Sequence, residues 1–348
     1  MFSTSTPLIP TIALLISLII ILLFAPSFLP ITHRKSPPIP LADELDDLSL
    51  FTRATRRAAA KSRLGTTNQN PKIAFLFLTN TDLYFSPLWQ LFFNNHSDLY
   101  NIYIHADPTV QIAPPSGVFE GRVIGNLHRT YRGTATLISA ARRLLATAIL
   151  DDSSNFYFAL ISQQCIPLHS FKYVYNALFG TDSGSIVLDK ISFIEIKSNE
   201  SILWDRYNAR GKRVMVPEVP FEKFRVGSQF FILTRRHSLM VLRDQRLWKK
   251  FKIPCINVHS CYPEEHYFPT LLSMLDPKGC SSYTLTRVNW TGSVNGHPHT
   301  YYPSEVSAQL IYTLRESNSS HSYLFARKFS PDCLKPLLDL SEEVIFKD

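Results

Sequence analysis

The sequence predicts an α/β domain around a mostly parallel central sheet, preceded by one N-terminal transmembrane helix. Three observations predict this architecture. Continuous apolar runs, such as KIAFLFLT at 72–79 and FYFALIS at 156–162, are typical of parallel strands that are buried on both faces. Segments with helical periodicity alternate with these runs, which indicates βαβ units. Residues 8–29 carry no charge, and their number matches a helix that crosses a bilayer.

The apolar N-terminal stretch is interpreted as a membrane anchor. It is longer than the apolar region of a cleaved signal peptide, and residues 1–7 before it contain no Lys or Arg. The residues themselves leave its orientation open. Arg34 and Lys35 follow the span, and basic residues favour the cytoplasmic side. Four N-glycosylation sequons favour a lumenal body instead; they begin at Asn95, Asn199, Asn289 and Asn318.

Residues 30–71 are expected to form a stem that tethers the membrane span to a domain at 72–348. The segment is Pro-rich at first, and an acidic block and a basic block follow. Its second half is capable of forming a short helix, but no packed core of its own is expected.

Within the domain, the local pattern predicts each element in chain order. Strands are expected at 72–79, 100–108, 123–126, 156–162 and 229–234, and helices at 85–93, 134–150, 171–179, 237–251 and 263–275. The helix at 85–93 has Pro near its start, and the helix at 263–275 opens with Pro and two Glu, which suits the helix dipole. The helix at 134–150 places apolar residues on one face, with Arg142 and Arg143 off that face.

The composition favours a globular protein that meets an anionic ligand or surface. Hydrophobic residues make up 45% and charged residues 18% of the 348, which excludes a disordered chain, and only 12 are Gly, which excludes a collagen-like one. Lys and Arg number 36 against 28 Asp and Glu, a formal net charge of +8. This surplus is dispersed and accompanies no binding motif, so a nucleic-acid partner is not expected.

The cysteine and histidine spacing predicts no metal site. The five Cys include no C-x-x-C pair. Four His of the second half match no ligand pattern; they are His259, His266, His297 and His299. Because five is odd, at least one Cys lacks a disulfide partner within the chain. Cys255, Cys261 and Cys280 are closest together, and their pairing is open.

Four positions stand out as candidates for chemistry. The ends of two predicted strands, 105–107 and 162–165, lie where α/β sheets bind ligands. Glu264–Glu265 lies at a predicted helix start, and Arg327–Lys328 follows an apolar YLF. Taken alone, each charged pair is typical of a solvent-exposed surface.

Eight sequence blocks, taken in order, resemble the core-2/I-branching β-1,6-N-acetylglucosaminyltransferase family, and more closely its plant Branch-type members. The blocks are KIAFLFL, YNIYIHADP, RGTATLISAARRLLATAIL, ALISQQCIPLHSF, FRVGSQFFILTRRH, YPEEHYFPTLL, TRVNWTG and YLFARKF. The resemblance implies a GT-A-like lumenal domain on a single-pass type II Golgi membrane protein. It also implies transfer of a sugar from a UDP-sugar to a glycan or glycoprotein hydroxyl, with inversion of the anomeric carbon.

The resemblance also assigns the acid–base chemistry. Some family members work without a metal ion, and this sequence contains no Asp-x-Asp triplet, the usual metal-binding motif of such transferases. No cofactor is therefore expected besides the UDP-sugar co-substrate. The family's general base is the Glu of a P-D-E block, which reads Pro263-Glu264-Glu265 here and makes Glu265 the expected base. Glu264, in place of the family's Asp, is expected beside the acceptor.

Without a metal, cationic side chains must stabilise the leaving diphosphate. The family uses a Lys in an F-A-N-K-F block, which falls on Lys328, and Arg327 replaces the neutral Asn. A second phosphate-binding Arg of the family has no match here, because the alignment lands on 297–299. Either His299 or Arg315 is expected to substitute, or the donor site differs.

The resemblance also assigns residues to the binding sites of the donor and the acceptor. Asp107 matches an Asp of the uridine pocket, with His105 beside it, and Trp290 matches an aromatic residue that stacks on the acceptor sugar. Arg132–Gly133 and Gly227–Ser228 mark family loops in which Gly permits a tight backbone.

A glycan on Asn289 would crowd the neighbouring Trp290, so that sequon is expected to be unmodified. The expected glycosylation sites are Asn95, Asn199 and Asn318. A non-catalytic Golgi sugar-binding or scaffold protein on the same fold is the alternative, because the P-D-E block and the second Arg are changed. A glycoside hydrolase fits less well, because adjacent carboxylates at a helix start point in different directions.

Overall fold

The computed structural model describes residues 16–17, 36–63, 70–113, 115–180, 190–293 and 296–348. Only residues 16 and 17 of the predicted span at 8–29 fall within these ranges, and the tail at 1–7 lies outside them. No helix in the described part of the chain is both long and apolar enough to cross a bilayer. The membrane anchor therefore stays a prediction.

Strands and helices alternate along the described chain. The strands are β1 (Lys72–Thr79), β2 (Tyr100–Ala106), β3 (Asn155–Ser162), β4 (Ile166–Pro167), β5 (Ser192–Glu195), β6 (Ile232–Thr234), β7 (Cys280–Ser282), β8 (Thr286–Val288) and β9 (Phe325–Arg327). The α-helices are α1 (Leu41–Arg63), α2 (Ser86–Phe93), α3 (Ala135–Asp151), α4 (Phe171–Phe179), α5 (Leu203–Asn208), α6 (Arg235–Arg243), α7 (Trp248–Phe251), α8 (Tyr267–Leu275), α9 (Ala308–Arg315) and α10 (Leu334–Asp339).

A six-stranded central sheet has the order β2-β1-β3-β6-β5-β7. β1 runs parallel to β2 and β3, and β5 runs parallel to β7, whereas β6 is antiparallel to both of its neighbours. A second sheet has the order β4-β9-β8. The prediction of a mixed α/β domain with a mostly parallel central sheet is confirmed, and this architecture fits a GT-A-like domain.

The continuous apolar pattern of β1 follows from burial on both faces of the sheet. Successive side chains of a strand point to opposite faces. Ala74 and Leu76 accordingly belong to one hydrophobic cluster together with α3, and Phe75 and Phe77 belong to a second cluster together with α2. All four side chains are at most 1% exposed. Both faces therefore require apolar residues, and no polar alternation is possible.

The stem prediction is wrong for residues 41–63, which form α1 and pack on the domain. Phe51 and Ala54 of this helix are buried and belong to the same hydrophobic cluster as α3. One residue of the acidic block is buried as well: Asp47 accepts a hydrogen bond from Arg143 Nη1 at 2.6 Å. An apolar stripe and a buried ion pair therefore join the segment to the domain core.

The chain before α1 is also docked on the domain. The backbone N–H of Ser36 donates to the carbonyl of Cys255 at 3.2 Å, and the backbone N–H of Cys255 donates to Ser36 Oγ at 2.8 Å. Ser36 is buried. The packed body therefore includes Ser36, well before β1.

The helix α3 is buried on all sides, so the prediction that Arg142 and Arg143 lie off its buried face is wrong. Arg142 is 0% exposed; its guanidinium lies 4.6 Å from the Phe51 ring and donates to the Asp244 carbonyl at 2.9 Å. Arg143 is paired with Asp47. Both arginines are buried because α1 covers the side of α3 that the local sequence pattern assigns to solvent.

Several predicted elements differ in extent; the strand expected at 229–234, for example, is limited to β6 at Ile232–Thr234. Residues 123–126 contribute only an isolated bridge, between Val123 and Ile104. The helix expected at 237–251 is divided into α6 and α7, because the carboxylate of Asp244 accepts two backbone N–H groups of the following turn, both at 3.0 Å. This side-chain capping begins a new helical turn.

A constrained turn leads into the helix predicted at 263–275. Cys255 and Cys261 form a disulfide, which settles the pairing that the sequence leaves open; the remaining thiols are free and buried, at Cys165, Cys280 and Cys333. Tyr262 follows with φ of 41° and ψ of 58°, in the left-handed region. The 3₁₀ turn Pro263–Glu265 comes next, and α8 begins after it. This turn carries both candidate carboxylates.

Candidate active site

A cleft of about 780 Å³ opens at the carboxyl ends of β1 and β3. Asn80 follows β1, Gln163 and Gln164 follow β3, and all three line the cleft. The location agrees with the expectation that α/β sheets bind ligands at the ends of parallel strands. Its volume is that of a site for a small molecule or part of a larger one.

The turn Pro263–Glu265 presents two carboxyl groups to the cleft in different environments. Glu264 is 3% exposed; its Oε1 accepts the Gly133 backbone N–H at 3.0 Å, and its Oε2 is buried without a hydrogen-bond partner. Burial, assisted by the nearby charge of Glu265, raises the pKa of Glu264 to about 8. Glu264 is therefore a neutral acid near pH 7, able to donate a hydrogen bond.

Glu265 is a charged carboxylate held at the cleft by Arg206 of α5. Its Oε2 accepts a hydrogen bond from Arg206 Nη1 in an ion pair, and its backbone carbonyl accepts the Gly227 N–H at 2.9 Å. The Arg206 guanidinium also lies 4.9 Å from the centre of the Tyr262 ring. Glu265 and Arg206 both line the cleft, so the base expected from the sequence is charged and positioned there.

Arg327 and Lys328 reach the same cleft because β9 is paired next to the end of β3. Ala326 pairs with Ile166 of β4, and the Phe329 backbone N–H donates to the Gln164 carbonyl at 3.2 Å. These bonds place Lys328, one residue beyond β9, beside the residues that follow β3. Glu265 and Lys328 therefore share one cavity, as the proposed chemistry requires.

Three of the cations that line the cleft have no ion-pair partner among the described residues. Burial, together with the charges of Arg327 and Arg132, lowers the pKa of Lys328. Arg327 lies with its guanidinium 4.3 Å from the Phe230 ring, and its buried Nε has no hydrogen-bond partner. Among the described residues, Arg132, Arg327 and Lys328 form no ion pair with a carboxylate. Positive charge without an ion-pair partner is typical of a site that binds an anion.

Arg132 is a cleft residue to which the sequence analysis gave no binding role. Its Nη2 donates to the Gly296 carbonyl at 3.0 Å, and its Nη1 donates to the Nε2 of His297. Both Arg132 and His297 line the cleft. One feature of the sequence could have indicated a binding role. Arg132 lies three residues before the start of α3, on the side of the sheet where ligands bind.

The structure places Asp107 and His105 outside the residues that line the cleft. The Asp107 carboxylate accepts hydrogen bonds from the backbone and side chain of Thr109 at 2.8 and 2.6 Å, and from those of Thr130 at 2.7 and 2.8 Å. His105 is 0% exposed, accepts the His128 backbone N–H, and has its pKa lowered to about 4 by burial. Asp107 thus fixes Thr130, which does line the cleft.

Neither residue expected to replace the family's second Arg lies in the cleft lining. His299 pairs with Glu305 at 2.7 Å. Arg315 donates to the carbonyls of Leu168 at 2.7 Å and Val344 at 2.8 Å, so its guanidinium ties α9 to the C-terminal segment. The expectation for Arg315 is wrong because these backbone carbonyls engage its donors away from the cleft.

Trp290 lines the cleft and is 53% exposed, which excludes a core-packing role. The neighbouring Asn289 is half-buried, and its Oδ1 accepts the Thr291 backbone N–H at 2.9 Å. The other three sequon residues, Asn95, Asn199 and Asn318, are exposed. An open aromatic face beside the carboxylates is suited to stacking on a sugar.

The glycine prediction for the cleft loops is confirmed at two positions. Gly133 has φ of 69°, a conformation that side chains disfavour, and a Cβ at Gly227 would lie 1.9 Å from the Glu195 carbonyl oxygen.

Within the ranges that the structure describes, no group of three or more His, Cys, Asp or Glu is arranged to hold a metal ion. His266, for instance, has its Nδ1 2.7 Å from the Arg225 carbonyl.

Comparison with known proteins identifies the family. The family model described as "Core-2/I-Branching enzyme" matches residues 73–315. The chain belongs to the Core-2/I-branching enzyme family. It is also 28% identical over 322 residues to "Glycosyltransferase BC10" of Oryza sativa subsp. japonica, covering 78% of this chain and 77% of the rice protein. The predicted family and the expectation of a glycosyltransferase are both confirmed.

Proposed function

We propose that this chain is an inverting glycosyltransferase that moves a sugar from a UDP-sugar to a hydroxyl of a glycan or glycoprotein. One observation carries the proposal: a single cleft holds the carboxylate of Glu265 together with Arg327 and Lys328, two cations with no ion-pair partner in the described part of the chain. Displacement at an anomeric carbon requires a base for the attacking hydroxyl and positive charge for the departing diphosphate. The cleft supplies both.

Glu265 is the proposed general base. It takes the proton of the acceptor hydroxyl while the hydroxyl oxygen bonds to the anomeric carbon and the bond to the diphosphate oxygen breaks. The Arg206 ion pair holds the carboxylate in the cleft. Glu264 is less suited to this step, because burial keeps its carboxyl protonated near pH 7. As a neutral acid, Glu264 is suited to donate a hydrogen bond to the acceptor.

Lys328 and Arg327 are the proposed stabilisers of the leaving diphosphate. Their burial and the absence of carboxylate partners in the described chain strengthen their interaction with an incoming anion. Charge-assisted hydrogen bonds of this kind can replace the electrostatic work of a divalent metal. We propose that the reaction is metal-independent on this ground, and chelation tests it.

The exposed face of Trp290 supports a role in holding the acceptor sugar. For the donor, we propose that Asp107 and His105 act by fixing the loop at Thr130 at the edge of the cleft. His299 lies outside the cleft lining, so we propose that it supports the donor site only through its backbone bond to the Asn289 carbonyl.

We propose that the protein is a single-pass type II Golgi membrane protein, with the span at 8–29 and the catalytic domain in the lumen. The exposed sequons at Asn95, Asn199 and Asn318 support a lumenal domain. The Cys255–Cys261 disulfide supports an oxidising compartment. Digestion with an endoglycosidase, followed by a mobility shift, tests this orientation directly.

The decisive experiment is transfer by the full-length chain, purified in detergent and screened against UDP-sugars and glycan acceptors. We expect Glu265→Gln to lower kcat by about 100-fold or more, because a positioned base contributes roughly that factor. Glu222→Gln, an exposed carboxylate away from the cleft, is the control and should retain activity. Undiminished transfer by Glu265→Gln would remove Glu265 from the mechanism.

Two further arms separate the alternatives. Loss of activity on addition of EDTA would overturn the metal-independent part of the proposal. UDP binding without sugar transfer to any acceptor would instead favour the non-catalytic sugar-binding or scaffold protein, which the changed P-D-E block and the unmatched second Arg keep in consideration.

A further inference from the structure

We propose that Arg132 supplies the second guanidinium of the diphosphate site, in place of the arginine that the family pattern puts near 297–299. The inference rests on the proposed function and assigns to it a residue from a different part of the chain. Arg132 belongs to the loop before α3, more than 160 positions away from the segment that it completes. It is a binding residue for the donor and takes no part in proton transfer.

The strongest observation is where the Arg132 side chain goes. The segment that lacks the expected arginine contains His297, and Arg132 donates to that ring and to the neighbouring carbonyl of Gly296. A guanidinium therefore lies against the segment in which the family pattern places one. This guanidinium belongs to the loop before α3. An alignment of the segment near 297–299 with the family pattern therefore does not reveal it.

Arg132 also lies close to the two other cations. Burial is the main cause of the lowered pKa of Lys328 and of Arg327, and the positive charge of Arg132 lowers both further. All three line one cleft without a carboxylate partner among the described residues. Like charges brought together in this way destabilise the free protein, and an anion placed between them relieves that repulsion.

The donors of Arg132 are oriented before any ligand arrives. Partial desolvation and the surrounding cations lower the pKa of His297, which favours the neutral ring, and the guanidinium donates a hydrogen bond to that ring. The guanidinium also lies 5.8 Å from the centre of the Tyr262 ring. These contacts leave other N–H groups of Arg132 available for a ligand, because an Arg side chain carries five of them. Their planar arrangement suits two phosphate oxygens.

The loop that carries Arg132 is fixed on both sides. Before it, Thr130 is held by Asp107. After it, the Gly133 N–H donates to Glu264, and Thr134 caps α3 by accepting the Thr136 N–H. These bonds hold the backbone from which the Arg132 side chain extends, which lowers the entropy lost when a ligand is bound.

A comparison of UDP with uridine tests the assignment, because the two ligands differ only by the diphosphate. Calorimetry on the full-length chain in detergent should show that Arg132→Gln weakens UDP binding roughly 10- to 100-fold, the range for lost charge-assisted hydrogen bonds. Uridine binding should be unchanged. Arg132→Lys, which keeps the charge and loses the fork, should fall between the two.

The matched control is Arg129→Gln, which removes the same charge from the same loop at an exposed position outside the cleft lining. It should bind UDP like the wild type. Equal weakening by Arg129→Gln and Arg132→Gln would reduce the effect to net charge and overturn the assignment, as would wild-type UDP affinity in a folded Arg132→Gln protein. If Lys328→Gln still weakens UDP binding in that case, the proposed function stands and only Arg132 is removed. A wild-type chain that binds no UDP would overturn both.

Discussion

Replacing Glu264 by Gln tests whether the cleft holds one neutral and one charged carboxyl group. Gln has nearly the same shape and keeps the oxygen that accepts the Gly133 N–H. It cannot ionise, so it removes the pH dependence that Glu264 gives to folding. The change therefore isolates the protonation state of this side chain from its packing.

The magnitude follows from the raised pKa. Glu264 titrates near 4.5 in the unfolded chain and at about 8 in the folded protein. Below pH 4.5 the carboxyl is protonated in both states and does not change the free energy of unfolding. Between pH 4.5 and 8 only the unfolded chain ionises, so stability falls by about 1.4 kcal/mol for each pH unit. The penalty has an upper value of about 3 kcal/mol at pH 7, and Glu264→Gln removes it.

The assay is urea unfolding of the full-length chain in detergent, with the wild type and Glu264→Gln compared at several values between pH 5 and 8. We expect the two proteins to differ by less than about 1 kcal/mol at pH 5, and the variant to be increasingly more stable as the pH rises. Glu222→Gln, at an exposed position, should show no such trend. A stability difference that stays constant with pH, or a variant less stable than wild type at pH 8, would show that Glu264 is ionised in the folded protein.

Three further predictions address the helix α1, the ion pair of the proposed base Glu265 and the acceptor site. Phe51→Ala should lower the free energy of unfolding by about 3–5 kcal/mol, because Phe51 is buried in the main core; a loss below about 1 kcal/mol would mean that α1 is not part of the fold. Arg206→Gln should lower kcat while leaving UDP affinity unchanged, because it frees Glu265 from its ion pair; a change in UDP affinity alone would contradict this. Trp290→Ala should raise the KM for the acceptor and leave the KM for the donor unchanged, and the reverse pattern would place Trp290 at the donor.

The sequence predicts the central strands well because their burial is a local property of the pattern. The runs at 72–79 and 156–162 are apolar on both faces, and the structure forms β1 and β3 there. The helix predicted at 171–179 coincides with α4. The family resemblance also selects Glu265 and Lys328, which the structure brings to one cleft.

The remaining features depend on contacts between distant parts of the chain. Asp47 looks like a solvated acidic residue until Arg143, 96 positions later, is placed beside it. Arg132 looks like a loop residue until the backbone near His297 folds against it. The engagement of Asp107 by two threonines is likewise invisible, because Thr130 is 23 positions away. Local periodicity carries no information about such pairings.

If residues 8–29 cross the bilayer as proposed, the hydrogen bonds between Ser36 and Cys255 limit how far the catalytic body can move from that span. Only residues 30–35 separate the end of the proposed span from this attachment, and six fully extended residues reach about 20 Å. A body of this size is about 50 Å across. We therefore expect the enzyme to rest against the bilayer surface with little freedom to tilt, which favours acceptors carried past it on the same membrane.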